Sequence, residues 1–145
     1  MAAVAPLVIT SKDWQVGVLP GTGASLAFGR VRVSGTWLDL LRPTAAADTL
    51  NSSLCSSFIM LPWANRIGGG RLHVDGETFQ LATADDGTAR HGDVRNRPWQ
   101  VVTADETQVR LHFDSTQHER INWPFRFMAE ARIAWKVQTL WFRWR

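Results

Sequence analysis

Apolar and polar residues alternate with a period of two from end to end of this chain, and helical periodicity is hard to find. Neighbouring side chains on a strand point to opposite faces, so this pattern gives each strand one core face and one solvent face. In Gln108-Val-Arg-Leu-His-Phe113, Val109, Leu111 and Phe113 share one face, with Gln108, Arg110 and His112 on the other. A hairpin with Trp99-Gln-Val-Val-Thr103 is expected. Arg71-Leu-His-Val74 and Glu77-Thr-Phe-Gln-Leu81 flank Asp75-Gly76, a pair suited to a type I′ turn. Residues 14–19 and 24–28 read as strands around Pro20-Gly-Thr-Gly23. The longest alternation follows Pro124: Phe125, Phe127, Ala129, Ala131, Ile133 and Trp135 face one way, and Arg126, Met128, Glu130 and Arg132 the other. Residues 42–53 are mostly connection, with room for one helical turn. Many strands joined by Gly, Pro and Asp turns predict an all-β fold, an antiparallel sandwich or barrel.

The 145 residues suffice for one domain and are too few for two of ordinary size. With 45% hydrophobic and 20% charged residues, the balance is that of a soluble globular protein. No stretch approaches the roughly 20 apolar residues of a membrane-spanning helix, and the first residues lack the basic region of a secretory signal. Cys55 is alone, which excludes an internal disulfide, and no Cys/His set has zinc spacing. A cytoplasmic protein with no metal and no membrane association is expected. The net charge of +3 is a terminal effect. Residues 126–145 carry five Lys/Arg against Glu130, and the other residues hold 11 basic and 12 acidic groups. A nucleic-acid surface would spread its basic residues over a face of the body, so no nucleic-acid partner is expected. Residues 133–145 form an atypical tail, with three tryptophans from Trp135 to Trp144 and no polar cap. It reads as a truncated or frame-disrupted end, with a basic amphipathic membrane-binding tail as the alternative.

Two loops carry the chemistry. In Leu61-Pro-Trp-Ala-Asn-Arg-Ile-Gly-Gly-Gly-Arg71, a proline and three glycines bracket an Asn-Arg pair. Glycines let a loop fold tightly and a ligand approach. Arg66 offers five donors, Asn65 a donor and an acceptor, and Trp63 an aromatic face for the C–H face of a sugar. The competing reading pairs Arg66 with a carboxylate and puts Trp63 in the core. In the second loop, Thr88-Ala-Arg-His-Gly-Asp-Val-Arg-Asn-Arg-Pro-Trp99, His91 can bind a hydroxyl or exchange a proton near neutral pH. His73 and His112 fall on polar strand faces, and His118 falls in a loop, where solvent is the expected neighbour. Gly21-Thr-Gly23 lacks a third glycine and a P-loop lysine, and no Gly-x-Ser-x-Gly elbow occurs. Asp85 and Asp86 are adjacent, which suits a turn better than paired catalytic carboxylates.

In order and spacing, these pieces resemble the aldose 1-epimerase (galactose mutarotase) family. The resemblance rests on Leu61-Pro-Trp-Ala-Asn-Arg-Ile67, Gly70-Arg-Leu-His-Val-Asp-Gly76, Phe79-Gln-Leu81, His91-Gly92 and Arg97-Pro-Trp99. Leu19-Pro-Gly-Thr-Gly-Ala-Ser-Leu26 and Trp37-Leu-Asp-Leu-Leu-Arg-Pro43 are similar to that family's opening strands. The resemblance implies a galactose-mutarotase-like antiparallel β-sandwich and a cofactor-free isomerase that interconverts the α and β anomers of aldohexoses such as glucose or galactose. By matching position, Asn65, Arg66 and His91 would bind the substrate. Trp63 stands where Tyr or Phe is common. His91-Gly92-Asp93 lacks the second glycine of the usual His-Gly-Gly.

Mutarotation takes a proton from the anomeric hydroxyl while an acid protonates the ring oxygen, so it needs two matched groups within reach of the sugar. In the family these are a mid-domain histidine and a late glutamate, and both positions would lie beyond Arg145. Glu106, Glu119 and Glu130 match neither motif. The resemblance therefore implies that residues 1–145 form one partial domain, truncated at its C-terminus. Its apolar face, from Phe125 to Trp135, would need covering by another copy or a missing half. Three readings follow: a fragment of an anomer-interconverting enzyme, a non-catalytic carbohydrate-binding β-domain, or a β-rich protein that docks on a partner through its tryptophan face. Because Arg90, Arg95 and Arg97 surround His91 in sequence, a hexose 6-phosphate 1-epimerase is a further alternative.

Overall fold

The computed structural model describes residues 4–134 and the backbone of residues 141–144. Trp135, the last member of the longest alternation, lies outside the described residues. The first sheet is antiparallel and runs β1 (Leu7–Thr10), β2 (Trp14–Leu19), β3 (Ser25–Val33) and β4 (Thr36–Leu41) in spatial order. Two short pairs follow. β5 (Arg66–Gly68) pairs with β8 (Thr88–Arg90), and the hairpin of β6 (Arg71–Val74) and β7 (Glu77–Gln80) lies between them in sequence. The second large sheet comprises β9 (Gln100–Ala104), β10 (Gln108–Asp114), β11 (Met128–Ala134) and β12 (Trp141–Trp144), in the order β12-β11-β10-β9. The chain is all-β and antiparallel, as its alternation predicts. The connection after β4 holds short 3-10 turns at Ala46–Asp48 and Ser52–Leu54.

The alternation becomes burial most clearly in β10, where Val109, Leu111 and Phe113 are each about 1% exposed. Fully burying a side chain of this size contributes roughly 1.5–3 kcal/mol. These residues meet Ile9 and Val18 from the first sheet and Ala129 and Ala131 from β11 in a single core. The β6–β7 hairpin turns at Asp75 (φ 50°) and Gly76 (φ 81°), the two left-handed residues of a type I′ turn, and pairs Leu72 with Phe79.

The apolar face expected from Phe125 onwards differs in two respects. β11 begins only at Met128, so Phe125 lies in the preceding loop and is 40% exposed. Phe127, Ala129 and Ala131 are buried in the core rather than left open. Among the described residues, exposed large hydrophobics include Leu38 and Leu40 on the outer strand β4. From there an apolar cleft of about 760 Å³ opens between the sheets, lined in part by Leu26, Leu41, Phe58, Leu61 and Ile133.

Candidate functional site

The β5–β8 pairing brings the two loops of interest together. It sets Arg66 opposite Arg90, and just beyond it the His91 amide donates to the Asn65 carbonyl at 2.7 Å. Asn65 and His91 both have φ 60°. The left-handed region is uncommon for residues other than glycine, although Asn and His enter it more readily than most. Asn65 immediately precedes β5 and His91 immediately follows β8, so both left-handed residues stand at the same end of the ladder. Strain of this kind is kept where the surroundings over-determine it, and it concentrates at functional sites.

Neighbouring contacts hold the His91 loop rigidly. Gly92, at φ 69°, lies against Leu61 so closely that a Cβ would overlap the Leu61 carbonyl. Asp93 takes φ −107°, which any residue adopts, so the absent second glycine is not needed here. The Gly23 amide donates to Arg97 O at 3.0 Å and the Trp99 amide to Pro20 O at 2.9 Å. The Gly21-Thr-Gly23 turn, which lacks phosphate-loop chemistry, thus serves as a dock for the site loop.

Arg66 is exposed, and its Nε donates to Asp86 Oδ2 at 3.3 Å. Arg90 Nε approaches the same oxygen at 3.9 Å. Exposed pairs of this kind contribute about 0–1 kcal/mol. Arg66 can therefore turn to a ligand at small cost, and its terminal nitrogens have no partner among the described residues. The Asn65 side chain is exposed and likewise unpartnered there. Asp86 was legible in the sequence only as a turn residue. It accepts from Thr88 N and Thr88 Oγ1, and these bonds hold its carboxyl below the usual value, with Arg66 and Arg90 acting in the same direction.

Burial pushes the His91 imidazole below its usual 6.5, and the charges of Arg95, Arg66 and Arg90 add to the effect. Its ring meets Phe58 edge-on at 5.7 Å, and its Nδ1 is buried with no protein partner among the described residues. Arg95 packs its guanidinium over the same Phe58 ring at 5.1 Å and donates to Ser53 Oγ at 3.0 Å. Arg97, in contrast, is fully engaged. It bonds Asp93 at 2.9 Å and donates to the carbonyls of Glu119 and Arg120 at 3.0 Å each. The structure places three arginines, Arg66, Arg90 and Arg95, about His91, and Arg97 ties that loop to the segment carrying Trp123.

Trp63 is half-buried. Its indole N–H donates to Ala89 O at 3.3 Å, and one face stacks on Trp123 at 5.5 Å. His73 is exposed and bonds Thr78, whereas the His118 ring stacks on Phe113 at 4.6 Å rather than standing in solvent. Cys55 is buried and free, and burial raises its thiol pKa. Among the described residues no three His, Cys, Asp or Glu side chains gather as a metal site, and no helix is long and apolar enough to cross a membrane.

An all-β fold with a rigid loop pair presenting Asn, Arg and His defines a class, and comparison with known sequences gives it a name. The sequence profile of the family described as aldose 1-epimerase matches residues 18–143, and the chain belongs to that family. A curated relative, Escherichia coli K12 YphB, described as uncharacterized, is 29% identical over 107 residues, covering 68% of this chain and 36% of its own length. A crystal structure of the GalM/aldose epimerase homologue from C. elegans is similar with a TM-score of 0.76 and 21% identity. That match covers 92% of this chain and 42% of the other. A second, provisionally described as an aldose 1-epimerase from Escherichia coli K12, matches with a TM-score of 0.73 and 20% identity, covering 90% and 41%. The fold is therefore galactose-mutarotase-like, and the chain spans less than half the length of these relatives.

Proposed function

We propose that this chain is the sugar-binding portion of an aldose 1-epimerase, with Asn65, Arg66 and His91 holding the hydroxyls of an aldohexose. The observation that carries this reading is the bonded pair of left-handed residues, Asn65 and His91, with Arg66 beside them. Arg66 and Asn65 supply donors, and Asn65 also supplies an acceptor. Neutral His91 has one ring nitrogen that accepts and one that donates, so it suits a hydroxyl. Trp63, with one face free of Trp123, would close the side of the site.

Interconversion of anomers is proposed for the whole protein. Removal of the proton from the C1 hydroxyl and protonation of the ring oxygen open the ring. Rotation about C1–C2 and reclosure on the other carbonyl face give the second anomer. Each proton transfer needs a free group at hydrogen-bond distance. Around this site Asp86 and Asp93 are engaged with arginines, so the acid and base would be supplied by residues other than these.

A hexose phosphate is the second reading, favoured by Arg66, Arg90 and Arg95 gathering about His91 with Asp86 the carboxylate between two of them. Saturation-transfer NMR on the full chain with D-glucose, D-galactose and D-glucose 6-phosphate tests both readings. Contact with the free sugars that disappears in Arg66→Ala is expected. Contact confined to the phosphorylated sugar, and lost in Arg90→Gln, would move the assignment to the second reading. A folded chain that contacts none of the three would refute both.

A further inference from the structure

Beyond the three polar residues, the site continues from Trp63 into a row of aromatic rings whose other members the mechanism above does not use. Trp63 stacks on Trp123 at 5.5 Å, Trp123 meets Phe125 edge-on at 5.9 Å, and Phe125 meets Phe79 edge-on at 5.2 Å. The rings come from three separate segments: the Asn65 loop, the loop before β11, and β7. Trp123 packs against the main core and anchors the row, whereas Phe125 is 40% exposed and Trp63 and Phe79 are half-buried outside that core.

The middle segment is fixed in place by polar bonds. Arg97 holds the carbonyls of Glu119 and Arg120, and Asn122 exchanges two hydrogen bonds with the Ala82 backbone, at 2.7 and 3.0 Å. The Asn122 amide also approaches the Asp93 carboxylate at 3.4 Å, in the same loop as His91. One network thus sets both the His91 loop and the aromatic row. A surface held in its binding shape before the ligand arrives loses little entropy on binding. The row starts within the site, since Trp63 shares a loop with Asn65 and bonds the strand that leads to His91.

We infer that this row is a second carbohydrate subsite. It takes the sugar ring linked to the one held at Asn65, Arg66 and His91, so the site receives a reducing oligosaccharide in preference to a lone hexose. The inference rests on the sugar-binding reading above. The C–H face of a pyranose is apolar and lies flat on an aromatic ring while its hydroxyls stay at the edge, in water. Phe125 offers the most accessible ring of the row, and Trp123 links it to Trp63.

The test is titration of the full chain by calorimetry with D-glucose and with the reducing disaccharides maltose, cellobiose and lactose. At least one disaccharide should bind about tenfold more tightly than glucose, the gain of one additional favourable ring contact. Phe125→Ala should bring that disaccharide to the glucose level and leave glucose unchanged, whereas Arg66→Ala should weaken both. Phe125→Leu, which keeps the apolar surface without the ring, should behave as Phe125→Ala, and amide NMR spectra of both variants report their folding. Equal affinities for glucose and all three disaccharides, unchanged by either variant, would overturn the subsite and leave the sugar-binding reading intact. A change of oligomeric state in Phe125→Ala with unaltered sugar affinity would assign the row to a protein contact and also overturn it. Binding of neither sugar class would overturn both readings.

Discussion

His91 is the residue whose state the surroundings decide most strongly. Burial lowers its pKa below 6.5, and Arg95 contributes the largest of the charge effects. In the folded chain the imidazole stays neutral at a pH where the unfolded one has begun to protonate. Between the two pKa values the unfolded state binds more protons, so stability from this group is present above 6.5 and declines as pH falls. An NMR titration of the ring protons should show His91 titrating below 6.5, and Arg95→Met should move the midpoint upward. A midpoint at or above 6.5 in the wild-type chain would contradict this electrostatic account. At this scale the sequence was partly legible. Asn65, Arg66 and His91 stand out as polar residues in glycine-bearing loops. Their left-handed backbone does not, because neither Asn65 nor His91 is glycine and alternation carries no information about φ. The competing reading of a carboxylate partner for Arg66 holds, but its identity, Asp86, was not legible because β5 must first meet β8.

Among the elements, one device recurs at three turns. Asp86, Asp105 and Asp114 each accept from the amide and the hydroxyl of a threonine two residues on: Thr88, Thr107 and Thr116. Such turns end or begin a strand by giving the backbone amide a side-chain acceptor. The same bonds hold all three carboxyls below 3.8. Their contribution is therefore present above the ordinary aspartate range and is lost as pH falls through the lowered values. The double variant Asp105→Asn, Asp114→Asn keeps an acceptor oxygen at each turn and removes the titration. Its unfolding midpoint in urea should fall less steeply than that of the wild-type chain below about pH 4. Parallel curves would assign the acid sensitivity elsewhere. Strand legibility followed length and burial. β10 is seven residues long with one face in the core, so its alternation is plain. β5 and β8 are three residues each, too short for a period to register, whereas the four-residue β6 and β7 are marked by the Asp75-Gly76 turn between them. Phe125 continued the pattern of β11 into a loop because aromatic stacking, rather than strand pairing, places it.

At the scale of the whole molecule, two sheets share one core, and the candidate site sits on the short strand pairs beside it. The segment that carries Phe58 and Leu61 lines the open apolar cleft on its way to Asn65. Leu40, 55% exposed on β4, lines the same cleft. The resemblance read from the sequence pointed to the fold and the family, and both hold. It placed the uncovered face from Phe125 to Trp135; Phe127, Ala129 and Ala131 of that face are buried, while Ile133 lines the cleft beside β4. Which face is covered depends on how sheets stack, and periodicity within one strand cannot report that.

Asn65, Arg66 and His91 are proposed to bind a sugar, with no free carboxylate beside His91 among the described residues to complete an acid–base pair. The most direct test follows anomer exchange by NMR after α-D-glucose and α-D-galactose are freshly dissolved at neutral pH. Wild-type chain, Arg66→Ala and buffer alone would be compared. The wild-type chain should contact the sugar while exchange proceeds at the rate seen in buffer. Acceleration by the folded wild-type chain that is lost in Arg66→Ala would contradict it, because a working proton-transfer pair would then lie within these 145 residues.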